Sequence, residues 1–73
     1  MPQEKIEAPL PGKILNVKAS VGEKVAEGDE LCTIEAMKME NPIMSPVSGV
    51  VKEVSITKGQ AVKAGDIMVV VEY

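Results

Sequence analysis

The 73-residue chain contains no histidine, tryptophan or phenylalanine, and only one cysteine and one tyrosine. Each absence removes a class of function. Without imidazole there is no Ser-His or Cys-His nucleophile pair and no histidine-ligated zinc. A lone Cys32 forms neither an internal disulfide nor a cysteine-cluster metal site. Single-stranded nucleic acid is ordinarily held by aromatic platforms along a basic groove; this chain has a single aromatic ring and a net charge of −3. No nucleic-acid partner is expected. The carboxylates stand apart among turn sequences with no sign of converging on a cleft, which leaves the chain poorly equipped to be an enzyme by itself. Long apolar runs are missing too, and MPQEKIEAPL lacks the basic-then-apolar profile of a secretory leader. The default expectation is a cytoplasmic location, with no direct membrane insertion.

What remains is 45% hydrophobic and 26% charged, the balance of a single small soluble domain. Its organisation comes from a repeat. Residues 6–35 lie over residues 43–72 without a gap, and nine pairs are identical: Ile6/Ile43, Pro9/Pro46, Gly12/Gly49, Val17/Val54, Gly22/Gly59, Val25/Val62, Gly28/Gly65, Asp29/Asp66 and Glu35/Glu72. Apolar character is kept at Ile14/Val51, Ala19/Ile56, Leu31/Met68, Cys32/Val69 and Ile34/Val71. These are turn glycines, strand prolines and core aliphatics. Valine- and isoleucine-rich runs between glycine turns are strand signals, and no segment keeps a helical apolar stripe for three turns. Between residues 14 and 19 the apolar spacing slips from two to three, which predicts a bulge.

Half of such a chain is too small to bury a core alone. The two copies are expected to close on each other as an all-β sandwich or barrel with quasi-two-fold symmetry. The link between them, EAMKMEN at residues 35–41, then becomes a hairpin at one pole, with the termini expected at the other. Hairpin tips favour Asn-Gly or Asp-Gly, where φ is positive; Met37-Lys38 is a poor pair for that geometry. A local rule broken once inside a consistent sequence marks a functional position.

The Glu35-Ala36-Met37-Lys38-Met39-Glu40 segment, with the repeat and the paired Gly-Asp turns, resembles the attachment motif of biotinyl domains. These are the biotin carboxyl carriers of carboxylases, decarboxylases and transcarboxylases. The resemblance implies a barrel-sandwich hybrid of two four-stranded antiparallel sheets, with domain limits at residues 6–73 and residues 1–5 as a tail or linker remnant. It implies biotin joined by an amide to the ε-amine of Lys38, with Ala36, Met37, Met39, Glu40 and Glu35 read by a biotin protein ligase. Further implied partners are a biotin carboxylase subunit and a carboxyltransferase or decarboxylase subunit, between which carboxylated biotin is shuttled, with the domain either free in the cytoplasm or peripheral to a membrane complex. The gapless halves leave no room for the thumb loop of bacterial acetyl-CoA carboxylase carriers.

Other readings of the same residues stay open. An exposed lysine is usually a solvated charge, and methionine is often core filler. Glu35 has a repeat mate in Glu72 and is as open to a structural role as to recognition, whereas Glu40 lies opposite Gln3. Cys32, paired with Val69, reads as a small buried apolar residue. Lipoyl domains present lysine on a similar hairpin, but without methionine on both sides. Pro42, just past the motif, cannot donate to a ladder and puts regular pairing beyond the hairpin in question.

Overall fold

Eight strands and no helix make up the computed structural model, which describes residues 2–73; Met1, part of the expected tail, lies outside them. In chain order the strands are β1 (Gln3–Glu7), β2 (Gly12–Val17), β3 (Lys24–Val25), β4 (Glu30–Ala36), β5 (Met39–Met44), β6 (Gly49–Val54), β7 (Ala61–Val62) and β8 (Ile67–Glu72). Two four-stranded antiparallel sheets result, ordered β1-β8-β6-β3 and β5-β4-β2-β7. Within each half β2 pairs with β4 and β6 with β8, while β1 and β3 join the second half's sheet and β5 and β7 the first half's. This exchange locks the halves together.

The two-fold relation holds at the level of single hydrogen bonds. Gly22 N–H donates to Val51 O and Gly59 N–H to Ile14 O; Gly28 N–H donates to Ser45 O and Gly65 N–H to Ala8 O. All four glycines hold φ between 89° and 94°, a region that L-residues enter only with strain. The core obeys the same symmetry. Its largest fully buried side chains are Ile14, Leu31, Ile34, Met68, Val51, Val69, Val71 and Cys32, which are four complete repeat pairs.

Bulges also come in mates. The β2–β4 register shifts between Ile14 and Asn16, and the β6–β8 register between Val51 and Glu53, so Leu15 and Lys52 are the extra residues. A second pair of shifts passes over Leu31 in β4 and Met68 in β8. An extra residue lets two successive side chains face inward, which is why Leu31–Cys32 and Met68–Val69 are all buried. The connections at residues 18–23 and 55–60 have equal length, and no thumb is inserted.

Two expectations change at the strand level. Residues 3–5, assigned in sequence to a tail, lie in β1, where Gln3 pairs with Glu72 and Lys5 with Val70. The exposed, polar character of this stretch reflects an edge strand rather than a linker. Pro42 does not disturb pairing either: the β4–β5 register runs unbroken from Ala36↔Met39 through Thr33↔Pro42 to Cys32↔Ile43. β5 is an edge strand, and a two-residue hairpin closing on Ala36/Met39 turns residues 39, 41 and 43 toward β4. The missing N–H of Pro42 therefore falls on the solvent side, where no ladder needs it.

Candidate functional site

The link between the halves is a two-residue turn, Met37-Lys38, joining β4 to β5. Both residues have positive φ, 54° and 66°, and they are the only non-glycine residues among those described that do. Positive φ at both central positions is the requirement of a type I′ turn, whose twist suits the flanking strands. Each L-residue held there costs about 1–2 kcal/mol. The surrounding ladder must impose this conformation, because the residues themselves resist it.

β4 supplies the imposition. Ile34 and Ala36 face the core while Glu35 faces out, and Ala36 remains only 6% exposed at the strand's end. Beneath it lies Gly12 of β2. A Cβ at Gly12 would sit 2.5 Å from the Glu35 carbonyl oxygen, 2.6 Å from Ile34 Cγ2 and 3.3 Å from Ala36 Cβ. Two small residues thus let β2 and β4 close tightly under the turn. Ala36 acts through this fit; its side chain is not offered to a partner.

From Met37 to Glu40 every residue is exposed. Met37 is 90% and Met39 65% accessible, and Lys38 is exposed between them. Burial of Met37 and Met39 as core filler is thereby ruled out, and two large apolar side chains stand exposed beside one lysine. Glu35 and Glu40, both exposed, are directly opposed in the ladder. Like charges in that relation repel. Lys13 is the β2 neighbour of Glu35, yet the only ion pair among the described residues is Lys18–Glu30, with Nζ 3.3 Å from Oε1. The Lys38 amine is bound in no ion pair and is free to be acylated.

Asn41 was passed over in the sequence. Half-buried on β5, it donates from Nδ2 to Met39 O at 3.2 Å and to Ile34 O at 3.5 Å. The available signal was its repeat mate, Glu4, which breaks the symmetry beside the motif.

Away from the turn, the start of β4 is tied down by Glu30, which accepts from Thr33 Oγ1 at 2.6 Å and pairs with Lys18. Those contacts, the Thr33 hydrogen bond foremost, hold the Glu30 carboxyl below its ordinary range. Burial pushes the Cys32 thiol up to about 11, with Glu30 adding to the effect. This is an inert core residue and not a nucleophile. Among the described residues no cavity opens on the surface and no three metal-binding side chains converge. What the arrangement offers chemically is one unencumbered amine on a rigid corner, the donor that a covalently attached group requires.

Comparison with known proteins agrees with that description. Residues 4–71 match a family model described as "Biotin-requiring enzyme". The chain is 40% identical over 67 residues to mitochondrial pyruvate carboxylase of Mus musculus, covering 92% of this chain and 6% of that protein. It is 44% identical over 64 residues to the biotin carboxyl carrier protein of Streptococcus mutans, 88% of this chain and 49% of that one. With the "Biotinylated protein TB7.3 homolog" of Mycobacterium leprae it shares 37% identity over 68 residues, 93% of this chain and 96% of the other. Among solved structures, Kluyveromyces lactis urea carboxylase superposes with a TM-score of 0.90 at 32% identity, covering 99% of this chain and 6% of that chain. The chain thus spans a small part of the large carboxylases it matches and nearly the whole of the mycobacterial protein.

Proposed function

The chain belongs to the biotin-requiring enzyme family as a biotin carboxyl carrier domain, and from that premise we propose that Lys38 is the residue that carries biotin. The observation behind this reading is the turn itself. Met37 and Lys38 are the sole non-glycine residues described at positive φ, and they are spent on lifting one lysine clear of the fold. Strain of this kind persists where function uses it.

Acylation needs a free amine, and a lysine side chain is ordinarily an ammonium ion at neutral pH. A separate ligase must therefore take up that proton and bring the acyl group activated. We assign Met37, Met39, Glu35 and Glu40 as the side chains that ligase reads, since all four are exposed around the amine; Ala36 contributes by fit with Gly12. When attached, biotin supplies a ureido nitrogen that takes up and releases a carboxyl group. The chain's part is to hold the arm's root rigidly and leave its path open.

In this reading the domain has no catalysis of its own. It serves a biotin carboxylase and a carboxyltransferase or decarboxylase, as modules of one chain or as separate subunits, in the cytoplasm. Lack of a cavity beside the turn suits an arm that is delivered to the partners' sites. The test is intact mass after co-expression with a biotin ligase and free biotin. One biotinyl increment on the parent and none on Lys38→Ala is expected. No increment on the parent sinks the assignment and returns lipoylation, checked with a lipoate ligase, and an unmodified module to contention.

A further inference from the structure

We propose that Asn41 is a positioning residue, whose side-chain amide holds the Met37-Lys38 turn in its left-handed conformation so that Lys38 is presented for acylation. The inference rests on Lys38 being the attachment point, but its geometric part stands by itself. Asn41 Nδ2 lies 3.2 Å from Met39 O and 3.5 Å from Ile34 O. Both partners are carbonyls, so only the amide nitrogen can face them. One carbonyl belongs to the residue that leaves the turn, the other to the strand that enters it. A single side chain therefore bridges the two legs of the hairpin directly behind the strained pair.

The internal repeat serves as a control. Asn41 corresponds to Glu4 on β1, and the pair Ile34↔Asn41 corresponds to Val71↔Glu4. Around Glu4, Tyr73 N–H donates to Pro2 O, and no turn links β8 to β1. There the fold uses a carboxylate, which cannot donate to a carbonyl. The amide occurs in the half where two residues must be kept at positive φ, and not in its mate. Elsewhere the fold gives such backbone to Gly22, Gly28, Gly59 and Gly65, which need no such support. A turn whose residues are set by attachment chemistry cannot use glycine, and a bridging donor stands in for it.

Amide exchange and acylation rate, measured on the parent, Asn41→Asp and Asn41→Ser, test this. Asn41→Asp keeps the shape but aims a carboxylate at two carbonyls. Exchange at Ala36 and Met39 should quicken about fivefold or more, the worth of one hydrogen bond. Val69 and Val71 on the mate strand should be unchanged. The introduced carboxyl should titrate above the ordinary aspartate range, with hairpin protection returning as it is protonated. The kcat/KM of ligase-catalysed biotinylation should fall about tenfold, and Asn41→Ser, whose hydroxyl can donate to one carbonyl, should recover part of both losses. Unchanged exchange at Ala36 and Met39 in Asn41→Asp overturns the proposal. So does quickened exchange with biotinylation at the parent rate. If the parent itself takes no biotin, the Lys38 assignment has failed, and the exchange data alone judge whether Asn41 holds the turn.

Discussion

Replacing Met37-Lys38 by Asn-Gly should make the domain more stable while abolishing its modification. Met37 and Lys38 hold φ of 54° and 66°, and each costs about 1–2 kcal/mol relative to relaxed backbone. Asparagine tolerates the left-handed region and glycine enters it freely. Against the relief stands the extra freedom glycine has in the unfolded chain, about 0.5–1 kcal/mol. The exposed side chains lost, Met37 and Lys38, contribute little packing. The net expectation for Met37→Asn combined with Lys38→Gly is a gain of about 1–2 kcal/mol.

Urea unfolding and thermal melts of parent and variant measure this. In a domain of this size each 1 kcal/mol corresponds to about 4–8 °C in Tm. A variant with Tm equal to or below the parent's would refute the premise that the turn is strained, because nothing else about the swap is costly. The single change Lys38→Ala separates charge from backbone. Alanine retains the L-residue penalty, so it should stay within about 0.5 kcal/mol of the parent and still take no biotin.

Three further outcomes follow from the packing. Gly12→Ala should cost about 1–3 kcal/mol and lower the rate of biotinylation, since its Cβ would meet the Glu35 carbonyl at 2.5 Å. Gly28→Ala, where φ is 94° and the space is open, should cost about 1–2 kcal/mol of strain alone and leave the biotinylation rate unchanged; equal rates for both variants would contradict the division. For Cys32, the unfolded thiol ionises near 9 but the folded one near 11. Above pH 9 the unfolded state therefore binds fewer protons, and stability falls by at most about 3 kcal/mol by pH 11. Urea melts of Cys32→Val, the residue at mate position Val69, should lack that part of the decline. Glu30 has the opposite sense: its carboxyl is held below the usual value of 4.5, so its contribution is present above that pH and disappears as the pH falls. Thr33→Val should flatten this acid limb, and an unchanged acid limb would remove Thr33 as the main cause.

The repeat made most of the fold legible. Pairing Ile14 with Val51, or Leu31 with Met68, named the fully buried side chains because a two-fold related fold must fill both halves of one core with equivalent atoms. The bulge near Leu15 showed as a slipped apolar spacing. The bulge at Leu31 lay in plain view as two adjacent apolar residues, Leu31-Cys32, but a run of buried residues conceals where a register shifts. β1 was lost for a related reason. Residues 3–5 carry Gln, Glu and Lys, and an edge strand that guards itself with charge reads as linker. At the turn, position and exposure followed from symmetry. The tight contact under Ala36 and the amide of Asn41 did not, because close approach and side-chain aim have no signature in a period-two pattern.

A symmetric scaffold explains why the site can be strained at all. The four left-handed glycines and the exchanged strands β3 and β7 repeat twice, so the framework carries its stability in duplicate and owes little to the link between its copies. That link is where one half differs from the other. Met39, Glu40, Asn41 and Pro42 stand where the other half has Pro2 and the β1 residues Gln3, Glu4 and Lys5. The mate of the hairpin pair Glu35↔Glu40 is Glu72↔Gln3, a pairing that relieves the like-charge repulsion and leads to no turn. The two left-handed residues that are not glycine and the opposed carboxylates are thus gathered at one corner and absent from its mate. Such costs survive at a single place only if that place is used, and the use consistent with an exposed amine, flanking methionines and rigid legs is to present the lysine to another protein.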